Sequence, residues 1–266
     1  MPHTSRVATF KSLHTASTPL VLANAWDAAS AALFQREGAT AVATSSASLA
    51  WSLGYADGGK LPRNELLAAV ARIQRVLTVP LSVDLEDGYS DAPGSVAELV
   101  VELARLGVAG INLEDGSKDP SLLADKIKAT RQALGDTPLF INARTDVYLR
   151  GLASGPAAVG LALQRAQAYQ AAGADGLFVP GLASVDDTAL IARQSDLPLN
   201  IMLRFGIPSI QVLHGAGARR FSAGPATFQS AYGHARTAAQ DLLKHHSVTG
   251  LFHNTVTYDA MNTLFS

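Results

Sequence analysis

The sequence predicts an α/β fold in which parallel strands alternate with helices and close into a TIM (β/α)8 barrel. Four segments show a helical pattern that ends at glycine and is followed by a short apolar run: "FQREGATAVATSS", "LARLGVAGINLED", "YQAAGADGLFVPG" and "LHGAGARRFSAGP". Glycine is a common residue after the last helical position. The apolar runs do not alternate strictly with polar residues, which is typical of strands buried on both faces of a parallel sheet.

About eight strand–helix pairs can be counted, the number that a TIM barrel requires. The predicted strands are Leu20–Ala23, Ala41–Ala43, Val79–Val83, Gly110–Leu113, Leu139–Asn142, Gly176–Val179, Leu197–Met202 and the segment at Phe221. Predicted helices with Ser or Pro at or near their start are Arg63–Leu77, Ser95–Leu106, Ser121–Leu134 and Pro156–Ala172. An open doubly wound sheet normally has a glycine-rich first turn, and "ANAWDAAS" contains no glycine.

The length of the chain fits one such barrel. Residues 1–266 contain no linker or low-complexity tract, so a single domain is predicted. Residues 228–266 exceed what eight pairs need. We expect helices over Phe228–Leu243 and Val248–Phe265 that cap the barrel or reach a neighbouring subunit.

Composition excludes several classes of function. The formal net charge is −1 with no basic block, which argues against nucleic acid or an anionic membrane as partner. Cysteine is absent, so disulfides, thiolate metal sites and thiol nucleophiles are excluded. No apolar run approaches the ~18 residues of a membrane span. The apolar stretch before Ala23-Asn24-Ala25 is also too short for a secretory signal, and a cytoplasmic protein is expected.

Acidic side chains follow the third and fourth predicted strands. Asp84 and Glu86 share one face if the strand stays extended, and Glu114 ends the adjacent strand at a similar level. With no His or Cys nearby, these acids suit a hard cation that prefers oxygen ligands, Mg²⁺ by default and Mn²⁺ as a substitute. The alternative is that acids after strands are helix caps or solvated turn residues, which suits Asp87, Asp91 and Asp115 best.

A single arginine, Arg144 in "FINARTD", follows the fifth predicted strand. A buried guanidinium needs a fixed anionic partner. That partner is either the acid cluster itself or a substrate carboxylate.

The chain resembles the isocitrate lyase/phosphoenolpyruvate mutase superfamily along nearly its whole length. The matching pieces, in order, are "LANAWDAASA", "TSSASLAWSLGYADG", "SVDLEDGYSD", "GINLEDG", "FINARTD" and "FSAGP". The resemblance implies a Mg²⁺-dependent barrel that cleaves or forms a C–C or P–C bond next to a 2-oxo acid. It also implies a homo-oligomer, a dimer or tetramer, in which a C-terminal helix is exchanged between subunits.

The resemblance assigns site residues by their position in these motifs. Asp84, Glu86 and Glu114 match residues that hold the metal directly or through water, and Arg144 matches an arginine that faces the substrate. The remaining substrate-binding candidates are the backbone turn Ser45, Ser46 and Ala47, then Trp26 in the first motif, and Asn200 for the distal part of the substrate. Asp57 matches an aspartate close to the reacting group, and Lys118 is a further catalytic candidate.

Departures from the family concern the lid. The isocitrate and methylisocitrate lyases carry a Lys-Lys-Cys-Gly-His loop whose thiol supplies a proton, and this chain has no cysteine. The mutases carry a longer lid, whereas "EDGSKDPSLL" offers only Lys118. Asp57, Tyr55 and Lys118 are then the candidates for protonating an enolate.

The expected function is a Mg²⁺-dependent lyase acting on a small 2-oxo acid or dicarboxylate through a pyruvate enolate. The alternatives are an enzyme like the phosphonomutases or phosphonopyruvate hydrolases, and a binder of 2-oxo acids without turnover. A glycosidase barrel is disfavoured because it would need aromatic sugar platforms, and only 6% of the residues are aromatic. A phosphate-ester barrel would need a glycine-rich site after strands seven and eight, which "FSAGPA" only begins.

Overall fold

Nine parallel strands form one nearly closed barrel in the computed structural model, which describes residues 2–266. The strands are β1 (Leu20–Leu22), β2 (Asn24–Ala25), β3 (Val42–Thr44), β4 (Leu81–Asp84), β5 (Gly110–Glu114), β6 (Phe140–Arg144), β7 (Gly176–Phe178), β8 (Leu199–Met202) and β9 (Arg220–Ser222). Each predicted strand overlaps one of these, so the predicted TIM barrel is confirmed.

Closure of the barrel depends on the first two strands. Only Ala23 separates β1 from β2, and β1 pairs with β9 while β2 pairs with β3. The two pieces therefore act as one barrel strand, which reduces nine segments to the eight that the fold requires. All pairs are parallel, so the carboxyl ends of the strands meet at one face.

Helices surround the barrel in chain order. They are α1 (His3–Leu13), α2 (Ala28–Arg36), α3 (Ser46–Ser52), α4 (Arg63–Val76), α5 (Pro93–Arg105), α6 (Pro120–Leu134), α7 (Gly155–Ala172), α8 (Val185–Gln194), α9 (Ile210–Gly215), α10 (Ala226–His245) and α11 (Tyr258–Thr263), with a 3₁₀ turn at Thr249–Phe252. Side-chain caps fix several starts: Asp27 accepts a hydrogen bond from Ser30 N, and Ser45 accepts one from Ser48 N.

Helices α1 and α3 lie outside the predicted strand–helix pairs. Helix α1 precedes the first strand and carries few strongly apolar residues, so it has no clear amphipathic pattern in the sequence. Helix α3 is short and almost entirely buried, and its serines and alanines read as a turn. The predicted helix over residues 248–265 is wrong in extent, because that segment divides into the 3₁₀ turn and α11.

Helix α1 closes the end of the barrel opposite the carboxyl ends of the strands. Phe10 is fully buried and meets Phe140 edge to face, with ring centroids 5.4 Å apart. Gly110 at the start of β5 must lack a side chain, because a Cβ there would lie 2.6 Å from the Phe10 ring. His14, just after α1, stacks on Phe140 with centroids 4.0 Å apart. The lower barrel is therefore sealed by aromatic packing.

The C-terminal helices present apolar side chains to the outside. Leu243, Phe252 and Tyr258 are all more than half exposed. That a second copy of the chain covers them stays a prediction. Within residues 2–266, no helix is both long and apolar enough to cross a membrane.

The buried His14 should make stability depend on pH. Burial, with a smaller effect of the Arg220 charge, lowers the pKa of His14 to about 3, below its usual value of 6.5. Between those pH values only the unfolded chain binds the proton, so stability falls as pH drops below about 6.5. The variant His14→Phe keeps a stacked ring that does not titrate. From pH 7 to pH 5, the unaltered chain should lose about 2 kcal/mol more unfolding free energy than the variant.

Urea unfolding of both proteins at the two pH values measures this difference. The carboxylates titrate in both proteins and cancel in the comparison. The same pH dependence in both proteins would show that His14 accepts a proton in the folded state, against the lowered pKa.

Candidate active site

Two neighbouring cavities lie at the carboxyl ends of the strands. The inner cavity has a volume of about 150 Å³ and is lined by Asn24, Ser45, Ser46, Ala47, Asp57, Asp84, Asn112, Arg144, Phe178, Met202, Ser222, Gly224 and Pro225. The outer cavity has a volume of about 210 Å³ and is lined by Gly58, Gly59, Glu86, Asp87, Glu114, Asp115, Gly116, Ser117, Lys118, Asp146 and Arg150. Larger grooves exist on the outer surface, but they contain none of the predicted site residues.

Most of the predicted site residues therefore lie together, divided between the two cavities. Two of them line neither. Trp26 packs edge to face against Phe34 and Phe228, which places it in an aromatic cluster under α10. Asn200 is fully buried within the barrel, and its amide donates to Ile201 O. A substrate role for these two residues stays a prediction.

Asp84 ends strand β4 and faces the inner cavity. Its Oδ2 accepts a hydrogen bond from the backbone N–H of Ser46 at 3.1 Å, and its Oδ1 lies 3.5 Å from Asn112 Nδ2. The Ser46 amide, predicted to bind substrate, is thus already used by Asp84. Ala47, the next residue of α3, lies in the first helical turn, where backbone N–H groups have no intrahelical acceptor. This makes the Ala47 amide the freer donor for a bound oxygen.

Glu86 does not continue the strand, so the expectation that it shares a face with Asp84 in an extended segment is wrong. Strand β4 ends at Asp84, and Glu86 has a left-handed backbone with φ of 50°. Such a conformation is unfavourable for a residue with a Cβ and persists only where other contacts fix it. Here Glu86 O accepts from Glu114 N at 2.9 Å, and Glu86 Oε2 accepts from Gly59 N at 2.6 Å.

Glu114 and Arg144 end adjacent strands and are direct partners in the β5–β6 register. Arg144 Nη1 lies 2.6 Å from Glu114 Oε2, yet that oxygen accepts no hydrogen bond of good geometry. The other edge of the guanidinium is held by Asp146, at 2.7 Å from Nε and 3.1 Å from Nη2. Arg144 is thus fixed by the protein while it lines the inner cavity, and both sequence interpretations of its role remain compatible with this position.

The acids repel one another. Burial and then the charge of Asp57 raise the pKa of Glu86 to about 7. Burial also raises the pKa of Glu114 to about 8, against the opposing effect of Arg144, and the neighbouring carboxylates add to the rise. Burial is the first cause in both cases, and the charges of neighbouring carboxylates add to it.

Lys118 lies at the rim of the outer cavity and is tied down by carboxylates. Its ammonium forms ion pairs with Asp87, at 2.8 Å, and with Asp91. Asp87 and Asp91 therefore stabilise a turn, as expected of the acids outside the metal set. The buried Lys126 donates to Asp87 O at 2.6 Å and holds the same turn from below.

Asp115 is buried and organises the wall of the site. Its Oδ2 accepts from Arg165 Nη1 at 2.8 Å and from Tyr169 Oη at 2.6 Å, while its Oδ1 accepts from Asp146 N at 3.0 Å. Asp115 thus positions Asp146, the residue that clamps Arg144. The expectation that Asp115 is a helix cap or a solvated turn residue is wrong, because its side chain is buried against Arg165 and Tyr169 of α7.

Sequence reasoning assigns no role to several lining residues. Asn24, Asn112 and Ser222 all line the inner cavity. Each is a polar residue inside an apolar run, and this pattern in the sequence could have indicated that they line the site. Asn24 Oδ1 accepts from Gly224 N at 3.0 Å, which joins the first barrel strand to the loop after β9.

The positions of the carboxylates show whether they could hold a divalent cation. Within residues 2–266, no three His, Cys, Asp or Glu side chains converge closely enough to form a direct metal site. Asp84, Glu86 and Glu114 would therefore not all be direct ligands in this arrangement. Mg²⁺ commonly keeps several waters and takes one or two carboxylates. The oxygen-only donors, the raised pKa values and the unsatisfied Glu114 Oε2 fit an ion held partly through water.

Comparisons with known proteins show which family the chain resembles. A family model described as phosphoenolpyruvate phosphomutase matches residues 10–243. An uncharacterized protein of Mycobacterium tuberculosis (strain H37Rv) is 39% identical over 240 residues, which cover 87% of this chain and 89% of the relative. The 2-methylisocitrate lyase of Shewanella oneidensis is 31% identical over 206 residues, covering 71% of this chain and 68% of the lyase.

A third relative matches over a shorter range. The oxaloacetate decarboxylase of a Bradyrhizobium strain is 35% identical over 167 residues, covering 58% of this chain and 55% of that enzyme. Among solved structures, a proposed phosphonomutase from Burkholderia cenocepacia J2315 has a TM-score of 0.85 and 39% identity. The match covers 89% of this chain and 99% of that protein.

Replacing the Asp115 carboxylate should weaken the fold. The variant Asp115→Asn leaves the guanidinium of Arg165 buried without a charged partner. Breaking a buried ion pair in this way typically costs about 3–5 kcal/mol, and we expect a loss near the lower value because Asn retains one acceptor oxygen. Chemical unfolding monitored by tryptophan fluorescence measures the change. The matched variant Asp91→Asn alters an exposed ion pair with Lys118, a kind of pair that typically contributes little to stability, so it should shift the unfolding midpoint far less. Equal effects in both variants would contradict the role given to Asp115.

Proposed function

The chain belongs to the isocitrate lyase/phosphoenolpyruvate mutase superfamily, whose members are lyases and mutases, and we propose that it is a Mg²⁺-dependent carbon–carbon lyase. The proposed substrate is a small 2-oxo dicarboxylate, with oxaloacetate as the first candidate. The observation that carries the proposal is the inner cavity, which Arg144, Ala47 and Asp84 line together.

The volume of the inner cavity favours a small substrate. The inner cavity has a volume of only about 150 Å³. Oxaloacetate suits that volume better than the larger tricarboxylate 2-methylisocitrate. A relative named oxaloacetate decarboxylase supports the same choice.

The absence of cysteine also favours oxaloacetate as the substrate. The sequence contains no thiol that could protonate a departing carbanion. In decarboxylation of oxaloacetate, the C3–C4 bond breaks, CO₂ leaves, and the electron pair forms the enolate of pyruvate. A proton from solvent or from a nearby acid then completes pyruvate at C3. This reaction does not require a dedicated thiol.

The protein contributes fixed charge where the enolate forms. Arg144 lines the cavity and is clamped by Asp146, so its guanidinium need not reorganise as negative charge develops on the oxo oxygen. The Ala47 amide is a second donor on the same wall. When bound, Mg²⁺ would supply a Lewis acid for the oxo group. Asp84 would hold it, with Glu86 and Glu114 acting through water.

A phosphonomutase-like reaction is the second candidate. It is favoured by the match to a proposed phosphonomutase over 99% of that protein. A third possibility, a binder of 2-oxo acids without turnover, would bind oxalate in a Mg²⁺-dependent way and release no product.

The substrate and the metal can be tested together. Pyruvate release is followed with oxaloacetate, 2-methylisocitrate and phosphonopyruvate, each in Mg²⁺ and then in EDTA. We expect oxaloacetate to be turned over with Mg²⁺ and not with EDTA. Arg144→Ala should lower kcat by about 10²–10³-fold, since removing one donor to a developing oxyanion typically costs about 2.7–4 kcal/mol.

Two controls make the result specific. The protein-free rate with Mg²⁺ is subtracted, because oxaloacetate also decarboxylates in solution. Arg105→Ala on the exposed face of α5 should keep full activity. Pyruvate and phosphate from phosphonopyruvate alone would replace the lyase by a phosphonopyruvate hydrolase-like reaction. Rearrangement of phosphonopyruvate to phosphoenolpyruvate, measured separately, would indicate the phosphonomutase-like reaction. No product from any substrate would support a binder without turnover.

Two variants distinguish Asp57 from Lys118 as the acid that protonates the enolate. Asp57 lines the inner cavity, whereas Lys118 lies at the outer one and is engaged by Asp87 and Asp91. If Asp57 is the acid, Asp57→Asn should lower kcat by about 10²–10⁴-fold, the usual contribution of general acid catalysis. Lys118→Met should change kcat far less. Steady-state rates on the preferred substrate measure both, and the reverse order would assign the proton to Lys118.

A further inference from the structure

Arg220 on strand β9 is a buried cation that none of the functions above uses. Its side chain is fully buried, and no carboxylate of residues 2–266 lies within ion-pair distance of it. Its Nη2 donates to Ser82 Oγ at 3.2 Å and to Asn112 Oδ1 at 3.0 Å. Its Nε and Nη1 find no partner. A buried guanidinium with so few contacts is a poor way to stabilise a fold.

The aromatic seal of the lower barrel keeps Arg220 away from water. The Phe10 ring centroid lies 5.6 Å from the guanidinium carbon. Burial lowers the pKa of Arg220 to about 9, so the side chain still carries its charge at neutral pH. The protein therefore holds a permanent positive charge beneath the floor of the inner cavity.

Arg220 determines which way the Asn112 amide points. An arginine side chain only donates hydrogen bonds, so the Asn112 atom that faces it must be the oxygen. The same oxygen accepts from Asn142 Nδ2 at 2.9 Å. The Asn112 NH₂ group is consequently directed to the other side, where it lies 3.5 Å from Asp84 Oδ1.

Asp84 is thereby held at both oxygens. Ser46 N donates to Oδ2, and the Asn112 amide, fixed by Arg220, faces Oδ1. Asn112 and Asp84 are also paired in the β4–β5 register, so the backbone keeps their side chains adjacent. Groups that orient a metal-binding carboxylate in this way typically affect metal affinity by about 10–100-fold.

We propose that Arg220 is a positioning residue that acts through Asn112 to orient Asp84 toward a divalent cation in the inner cavity. The inference rests on the proposed metal site. It assigns Arg220 no contact with the substrate and explains why a charge is kept in the barrel core. A purely structural arginine would instead be expected to satisfy its remaining N–H groups.

The test compares metal affinity with stability, without turnover. Mn²⁺ binding is titrated by electron paramagnetic resonance in the unaltered chain and in Arg220→Met, which fills a similar volume without charge. We expect the Kd for Mn²⁺ to rise at least 10-fold in Arg220→Met, with a melting temperature equal to or above that of the unaltered chain. Replacing buried charge by an apolar side chain is often neutral or stabilising. Arg220→Lys, which keeps a donor-only cation, should keep the Kd within about threefold of the unaltered value.

Arg131→Met is the matched control. Arg131 also donates to backbone carbonyls inside the fold, at Gly173 and Leu139, but has no link to Asp84. It should lower stability and leave the Kd unchanged. An unchanged Kd in Arg220→Met with lower stability would overturn the proposal, because Arg220 would then be structural.

A second variant covers the case in which Arg220→Met does not fold. Asn112→Leu breaks the link while Arg220 keeps its bond to Ser82, and it should raise the Kd for Mn²⁺ to a similar extent. An unchanged Kd in that variant would equally overturn the proposal. If the unaltered chain binds no Mn²⁺, the metal site itself is overturned and the role of Arg220 with it. A different outcome is that the unaltered chain and all variants bind Mn²⁺ with the same Kd. That result would overturn only the role of Arg220 and would leave the metal site in place.

Discussion

The pairing of Glu114 with Arg144 is the interaction on which the rest of the site depends. The two residues are direct partners in the register of adjacent parallel strands, so the backbone itself brings the charges together. Arg144 is fixed on its other edge by Asp146, and the N–H of Asp146 is fixed in turn by the buried Asp115. One guanidinium thus receives its position from three carboxylates on neighbouring strand ends and is left facing the inner cavity.

That single positive charge does not balance the acids around it. Burial is the main cause of the raised pKa values of Glu86 and Glu114, and repulsion by neighbouring carboxylates, Asp84 among them, adds to it. The repulsion can be relieved in two ways, by protonation or by a cation. Besides Arg144, the mouth carries Lys118, which is paired with Asp87 and Asp91, and Arg150 at the outer cavity, and these cations are fewer than the acids. The excess of acid is therefore a property of the folded chain and not of one flexible side chain.

The barrel was predictable because its physical causes are local. Glycine after several of the helices and short apolar runs mark the strand–helix units, and parallel strands must carry their end residues to one face. Hence Asp84, Glu114 and Arg144 could be placed together from their positions alone. The left-handed backbone of Glu86 could not be predicted, because it depends on hydrogen bonds from Gly59 and Glu114 that are distant in sequence.

Other features of the structure could not be predicted from the sequence for a related reason. Asn112 lies within an apolar run and Arg220 stands between Arg219 and Phe221, and the sequence does not tell whether such a residue faces the barrel interior or the helices outside. The seal made by α1 was missed because its buried face reduces to Val7 and Phe10, too few residues to form a recognisable period. The parts of the site that depend on side chains meeting across the barrel were therefore the parts that sequence pattern alone left open.

The geometry of Glu86 connects the acids to the loop that carries Asp57. Glu86 Oε2 accepts from the N–H of Gly59, two residues after Asp57, and both Gly58 and Gly59 have positive φ values that suit glycine. Because a left-handed backbone turns Glu86 out of the strand direction, its carboxylate reaches this loop and not the inner cavity. Asp84 is left as the only one of the three proposed metal carboxylates that lines the inner cavity. The orientation of Asp84 therefore matters more than that of the other two, and a buried arginine that fixes this orientation has a clear physical purpose.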